Sequence, residues 1–128
     1  MMTTYLLQLH LIALILTLVF EVLFACICGY HNRQTLKVVV LAQVVTNPVV
    51  VLLANLCLFY TVWPVAVYLI PLEISAVIVE WQIYRLRAKQ IARPLVFSLA
   101  ANVFSYTIGF GIQELGFYDL LEQFVMIR

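Results

Sequence analysis

Four uninterrupted apolar stretches dominate the chain, and each is long enough to cross a bilayer. A helix spanning roughly 30 Å of hydrocarbon needs about 20 residues at about 1.5 Å each. Leu6 to Cys28, Val38 to Tyr60, Trp63 to Tyr84 and Leu95 to Ile112 meet that length. Of the 128 residues, 66% are hydrophobic and 10% charged, against roughly 45–50% and about 25% in a soluble domain. So few charges cannot coat a soluble globule. A formal net charge of +1 also gives no basic field to hold nucleic acid.

The first stretch differs from a secretory signal in lacking a basic residue before it and in carrying Glu21 within a long apolar run, so it is expected to be retained as a helix. Arg33 and Lys37 lie between spans one and two, and Arg85, Arg87, Lys89 and Arg93 between spans three and four. Six of the seven basic residues thus share one side. By the positive-inside bias, that side is expected in the cytoplasm and both chain ends outside, as in a multi-pass inner-membrane protein.

Links this short force neighbouring spans to run antiparallel, which predicts one all-α domain, an up-down bundle of four transmembrane helices. Residues 113–128 place Phe117, Leu120, Leu121, Phe124 and Val125 at helical spacing, away from Glu114, Glu122 and Gln123. A short amphipathic helix in the outer interface is expected there. Pro94 suits the opening of the fourth span, whereas Pro48 and Pro71 fall inside theirs and should kink them or free the carbonyls of Val44 and Val67. Gly109, Gly111 and Gly116 are expected to permit close packing and then to end the fourth helix.

The polar content of the spans carries the functional signal, because an ionisable group at membrane depth is costly unless paired or facing a cavity. Glu21, Glu73 and Glu80 are such groups. Glu73 and Glu80 lie two turns apart on one helical face with Tyr84 a turn beyond, so that face should point inward. Each other span has a stripe of its own: Thr17 and Glu21, then Gln43 and Asn47, then Ser98, Asn102 and Ser105. Counting from the basic loops puts Glu21, Gln43, Glu80 and Ser98 in one layer, and Asn47, Glu73 and Asn102 in a second near the midplane. Glu80 has an alternative, since it could reach toward the cytoplasmic face or pair with Arg85.

No span carries a Lys or Arg to neutralise three glutamates. Either the carboxyls hold their protons, or a cation or protonated ligand supplies the missing charge. The sequence therefore predicts a cation or proton site formed by Glu73, Glu80 and Glu21 with Asn47 and Asn102, supported by Gln43, Thr46, Tyr84, Ser98 and Ser105. Oxygen-rich ligands suit a hard cation or water. The plainer reading is that amides and neutral carboxyls join the helices by hydrogen bonds of about 1 kcal/mol each. Thr46-Asn47-Pro48 admits the same two readings, a broken-helix ion site or a proline kink satisfied by Thr46.

Cys26 and Cys28 point about 200° apart on a helix and do not converge with His31 on a metal. His10 is expected to hydrogen-bond a neighbour, and Trp63, Tyr60, Trp81, Tyr84 and Tyr30 to anchor the spans at the interfaces. No phosphate loop, nucleophile elbow or zinc-protease signature occurs, so neither an enzyme nor a cofactor is indicated. Two other functions fit the pattern: an accessory or scaffold subunit of a larger membrane complex, and a binder of a lipid or small amphipathic ligand. The expected partners are the lipid bilayer and either further copies of the chain or a larger membrane-protein complex.

Glu21, Gly29, the run Gln43-Val44-Val45-Thr46-Asn47-Pro48, Glu73 with Glu80 and Tyr84, and Asn102 with Ser105 look like small uncharacterised four-span bacterial inner-membrane proteins. The likeness covers the four spans and leaves out the tail after Ile112. It implies a bacterial origin and carries no activity with it.

Overall fold

The computed structural model describes residues 2–116 together with Asp119 and Gln123. It is an all-α bundle of four helices: α1 (Met2–Ile27), α2 (Arg33–Tyr60), α3 (Val65–Arg87) and α4 (Pro94–Glu114). All four are long and apolar enough to cross a membrane. The chain is a multi-pass membrane protein. The interfacial helix expected from Phe117 to Val125 lies outside the described residues.

Consecutive helices run antiparallel, and the ring closes by packing α1 against α4. Among the described residues no Cα atoms of the diagonal pairs, α1 with α3 or α2 with α4, come within 8 Å of each other. The bundle therefore has an axial interior that all four helices face. One end, the basic end, carries the links 28–32 and 88–93, with Lys89 and Arg93 in the second link and Arg33, Lys37, Arg85 and Arg87 in the adjoining turns of α2 and α3. The far end carries the 61–64 link, the start of α1 and the end of α4.

The helix limits differ from the hydropathy limits where capping intervenes. Asn32 accepts a hydrogen bond from the Gln34 amide at 2.7 Å and caps α2, so Arg33 and Lys37 belong to its first turns rather than to a loop. Gly29, at φ +88°, ends α1. Its amide bonds the Cys26 carbonyl at 3.0 Å and the Tyr30 amide bonds that of Ala25 at 2.9 Å, a closure that needs a left-handed residue. Gly109 and Gly111 do not serve close packing, since a Cβ at either would meet nothing within 4 Å. Helix α2 continues unbroken through Pro48, and α3 through Pro71.

Small residues line the interior and large ones face outward. Ala25, Ala42, Ala76, Ala88 and Ala101 are buried, while Leu11, Ile15, Val19, Leu23 and Ile27 form an exposed stripe along α1. Such a distribution suits a lipid solvent. Hydrocarbon outside is as apolar as leucine, so close backbone approach rather than burial of bulk holds the helices together. The apolar core gathers toward the basic end, where Ala25, Val38, Val39, Tyr84, Ala88, Ile91 and Phe97 pack together. The next layer along the axis is polar.

Candidate functional site

Ala76, Glu80 and Tyr84 form one buried stripe on α3 at a spacing of four, so the face that carries the glutamate is the inward one. Glu80 is 1% exposed and is held from two sides. Its Oε1 accepts from Gln43 Nε2 at 2.9 Å and from Thr46 Oγ1 at 2.9 Å, both on α2. Its Oε2 accepts from Ser98 Oγ at 3.2 Å and from Asn102 Nδ2, both on α4. Spacings of three on α2 and four on α4 bring each donor pair onto one helical face.

The two hydroxyl partners have a choice of acceptor. Thr46 Oγ1 is also 3.0 Å from the Ala42 carbonyl, and Ser98 Oγ is 3.0 Å from the Val77 carbonyl. A hydroxyl has one hydrogen to give and can accept as well. With Glu80 ionised, both hydroxyls turn to it. With Glu80 protonated, its O–H donates to one of them, and that hydroxyl turns its hydrogen to the backbone. Either protonation state therefore leaves the carboxyl fully hydrogen-bonded.

Glu21 on α1 completes the layer. It is 1% exposed, and neither carboxyl oxygen has a hydrogen-bond partner. It lies near enough to Glu80 for their charges to interact. The Tyr84 hydroxyl sits beside the Gln43 amide, also buried and without a well-aligned hydrogen bond. All six cationic residues of the basic end are exposed, and none pairs with either carboxyl. Orphaned buried groups of this kind call for a proton, an ion or water.

A cavity of about 270 Å³ leads away from Glu80 toward the far end. Asn47, Glu73, Ser105 and Gly109 are among its walls. On α4 its walls run from Asn102 to Phe110, eight residues further on, so the cavity extends roughly 12 Å along the axis at about 1.5 Å per residue. Several waters fit, each taking about 30 Å³. In the other direction the path is closed by aromatic rings around Phe97. Phe24, Tyr30 and Tyr84 lie 5.6, 5.5 and 5.3 Å from it between ring centroids, in the tilted and edge-on arrangements that such rings favour.

The structure gathers Glu21, Gln43, Thr46, Glu80, Tyr84, Ser98 and Asn102 at one level, and sets Glu73, Asn47 and Ser105 along the cavity wall. Several expectations are corrected. Asn102 lines the cavity with Glu73 and Asn47 as expected, but the two polar layers are not separate, because its amide also reaches Glu80 while bonding the Ser98 carbonyl at 2.9 Å. Glu80 neither extends to the cytoplasmic face nor meets Arg85, whose guanidinium instead lies 5.5 Å over Trp81. Tyr84 is fully buried rather than an interfacial anchor, being one turn from Glu80 on the inward face. Thr46 serves Ala42 and Glu80, and no bond from it reaches the Val44 carbonyl that Pro48 frees.

His10 meets Asn55 of α2 at 2.8 Å. The aromatic closure is the part that sequence reasoning missed. Phe24 lies one turn from Glu21 and Phe97 is adjacent to Ser98, and that proximity to the polar stripes was the available signal.

The fold and this layer define a four-span membrane protein with a carboxyl pair buried at the head of a one-ended polar cavity. Compared with protein-family models, curated proteins and solved structures, the chain matched none.

Proposed function

We propose that the protein binds protons within the membrane at the Glu21–Glu80 pair and exchanges them through the cavity lined by Glu73 and Asn47. The observation that carries this reading is two buried carboxyls, near enough for their charges to interact, with no cationic partner. One proton removes the repulsion between the two and leaves a single carboxylate, which the four donors around Glu80 can serve. A proton is the better fit, because the hydroxyls of Thr46 and Ser98 serve Glu80 in both of its states. A metal ion would have to displace the two amide N–H donors that point at the same oxygens.

The bias of basic residues supports an orientation with links 28–32 and 88–93 in the cytoplasm, and the cavity then faces outside. The likeness to small bacterial proteins supports placement in an inner membrane. Since Phe97 closes the path, net transport needs a second conformation, further copies of the chain or a partner subunit in a larger complex.

Reconstituted vesicles test the reading. Under an imposed pH gradient, wild type is expected to take up protons, with Glu80→Gln and Glu21→Gln at least tenfold slower and Glu73→Gln altered. Infrared difference spectra should show a protonated-carboxyl band that disappears in Glu80→Gln. Equal flux in all four proteins, together with an unchanged band, overturns it. Uptake of sodium or potassium with the same residue dependence would replace the proton by a cation.

A further inference from the structure

A second depression lies on the outside of the bundle between α3 and α4. It holds about 430 Å³, within the roughly 300–1,000 Å³ of small-molecule sites. Ile74 and Ile78 from α3 and Leu95, Leu99 and Val103 from α4 give it apolar walls. Glu73, Asn102 and Tyr106 line it too, and the same three line the interior polar cavity. They form the border between a lipid-facing groove and the inside of the bundle.

The groups at this border are not equivalent. The Asn102 amide is committed to Glu80 and to the Ser98 carbonyl. The Glu73 carboxyl is half-buried and makes no hydrogen bond or ion pair with a described residue. An apolar channel that ends on an uncommitted carboxyl complements a molecule with an apolar tail and a cationic head. The tail contributes little selectivity, since leaving bilayer hydrocarbon for a leucine-lined groove gains almost nothing. The head decides: an ammonium makes a charge-assisted hydrogen bond to Glu73, whereas an anionic head meets like charge with no basic side chain nearby.

We propose that the α3–α4 groove binds a single-chain amphiphile with an amine head, its tail along Ile78, Leu95 and Leu99 and its ammonium at Glu73. The groove opens sideways into the bilayer, so the ligand enters from the membrane rather than from water. This site is separate from the Glu21–Glu80 pair.

A long-chain alkylamine bearing a photoactivatable diazirine in its tail tests the proposal on the full chain in phosphatidylcholine nanodiscs. Crosslinks mapped by mass spectrometry are expected within residues 74–78 and 95–103. Excess unlabelled alkylamine should compete, and an alkyl sulfate of equal length should not. Glu73→Gln should lower labelling at least fivefold, and Leu99→Trp, which fills the groove and leaves the carboxyl in place, should lower it as far. Labelling spread evenly over four helices, equal competition by the sulfate, or full labelling of either variant in its folded state overturns the proposal.

Discussion

Asn102 on α4 gives its side-chain amide to two acceptors at once, Glu80 Oε2 on α3 and the Ser98 carbonyl one turn back on its own helix. The second bond fixes the rotamer that makes the first, so the rotation of α4 is referenced to a single carboxyl.

Replacing that amide should therefore cost more than one hydrogen bond when charge is added. Asn102→Ala removes an interhelical bond of about 1 kcal/mol and lowers the melting temperature slightly. Asn102→Asp sets a third carboxyl against Glu80 and should lower it further. Melting in a neutral detergent checks the order, and an aspartate variant as stable as the alanine variant would show that Glu80 carries no charge in the folded protein.

Glu21 makes the opposite prediction for stability. Its two oxygens have no partners, so an apolar side chain of similar size removes a desolvation penalty without breaking a bond. Glu21→Leu is expected to stabilise the bundle, by about 1 kcal/mol or more on the scale of other buried-charge replacements, while proton uptake is lost. A destabilised Glu21→Leu would mean that this carboxyl has a structural partner.

Phe97 holds the closed end by contact with three rings. Phe97→Ala leaves a hole worth roughly 3 kcal/mol or more and joins the cavity to the basic end. Passive proton leak through vesicles should rise as the melting temperature falls. Loss of stability with no leak would place the barrier elsewhere, among Val39, Ala88 and Ile91.

The cavity can be mapped by accessibility. In a background with Cys26, Cys28 and Cys57 replaced, cysteines introduced at Gly109 and Asn47 should react with a membrane-impermeant maleimide applied to the far face. One at Ala101, buried in the core, should stay unreactive from either face. Gly109 tolerates the side chain, because its Cβ position is open.

Much of this was legible in the sequence because membrane crossing is written in run length, and buried polar residues stand out against an apolar background. Glu80 and Tyr84, four apart, carried the inward face of α3 in their spacing. The bond from Asn102 to Glu80 was missed because depth counted along each helix ignores side-chain reach, and a flexible amide links levels that a layer count keeps apart. Tyr84 was misread because tyrosine suits both an interface and a bundle interior, and only its phase with Glu80 separates the two. Phe24 and Phe97 were missed for a deeper reason: in a chain this apolar, an inward phenylalanine looks the same as one that faces lipid, and only its closeness to Glu21 or Ser98 marks it out. The early start of α2 was missed because Asn32 signals a cap rather than hydropathy.

The closure around Phe97 also decides where the membrane voltage acts. With water in the cavity, the potential would hardly fall along it and would drop instead across the aromatic segment. A proton reaching Glu80 from the far face crosses little of the field, and one passing Phe97 crosses nearly all of it. At about 2.3 kcal/mol per charge per 100 mV, a thin ring cluster would convert the whole electrical gradient into a bias on one step.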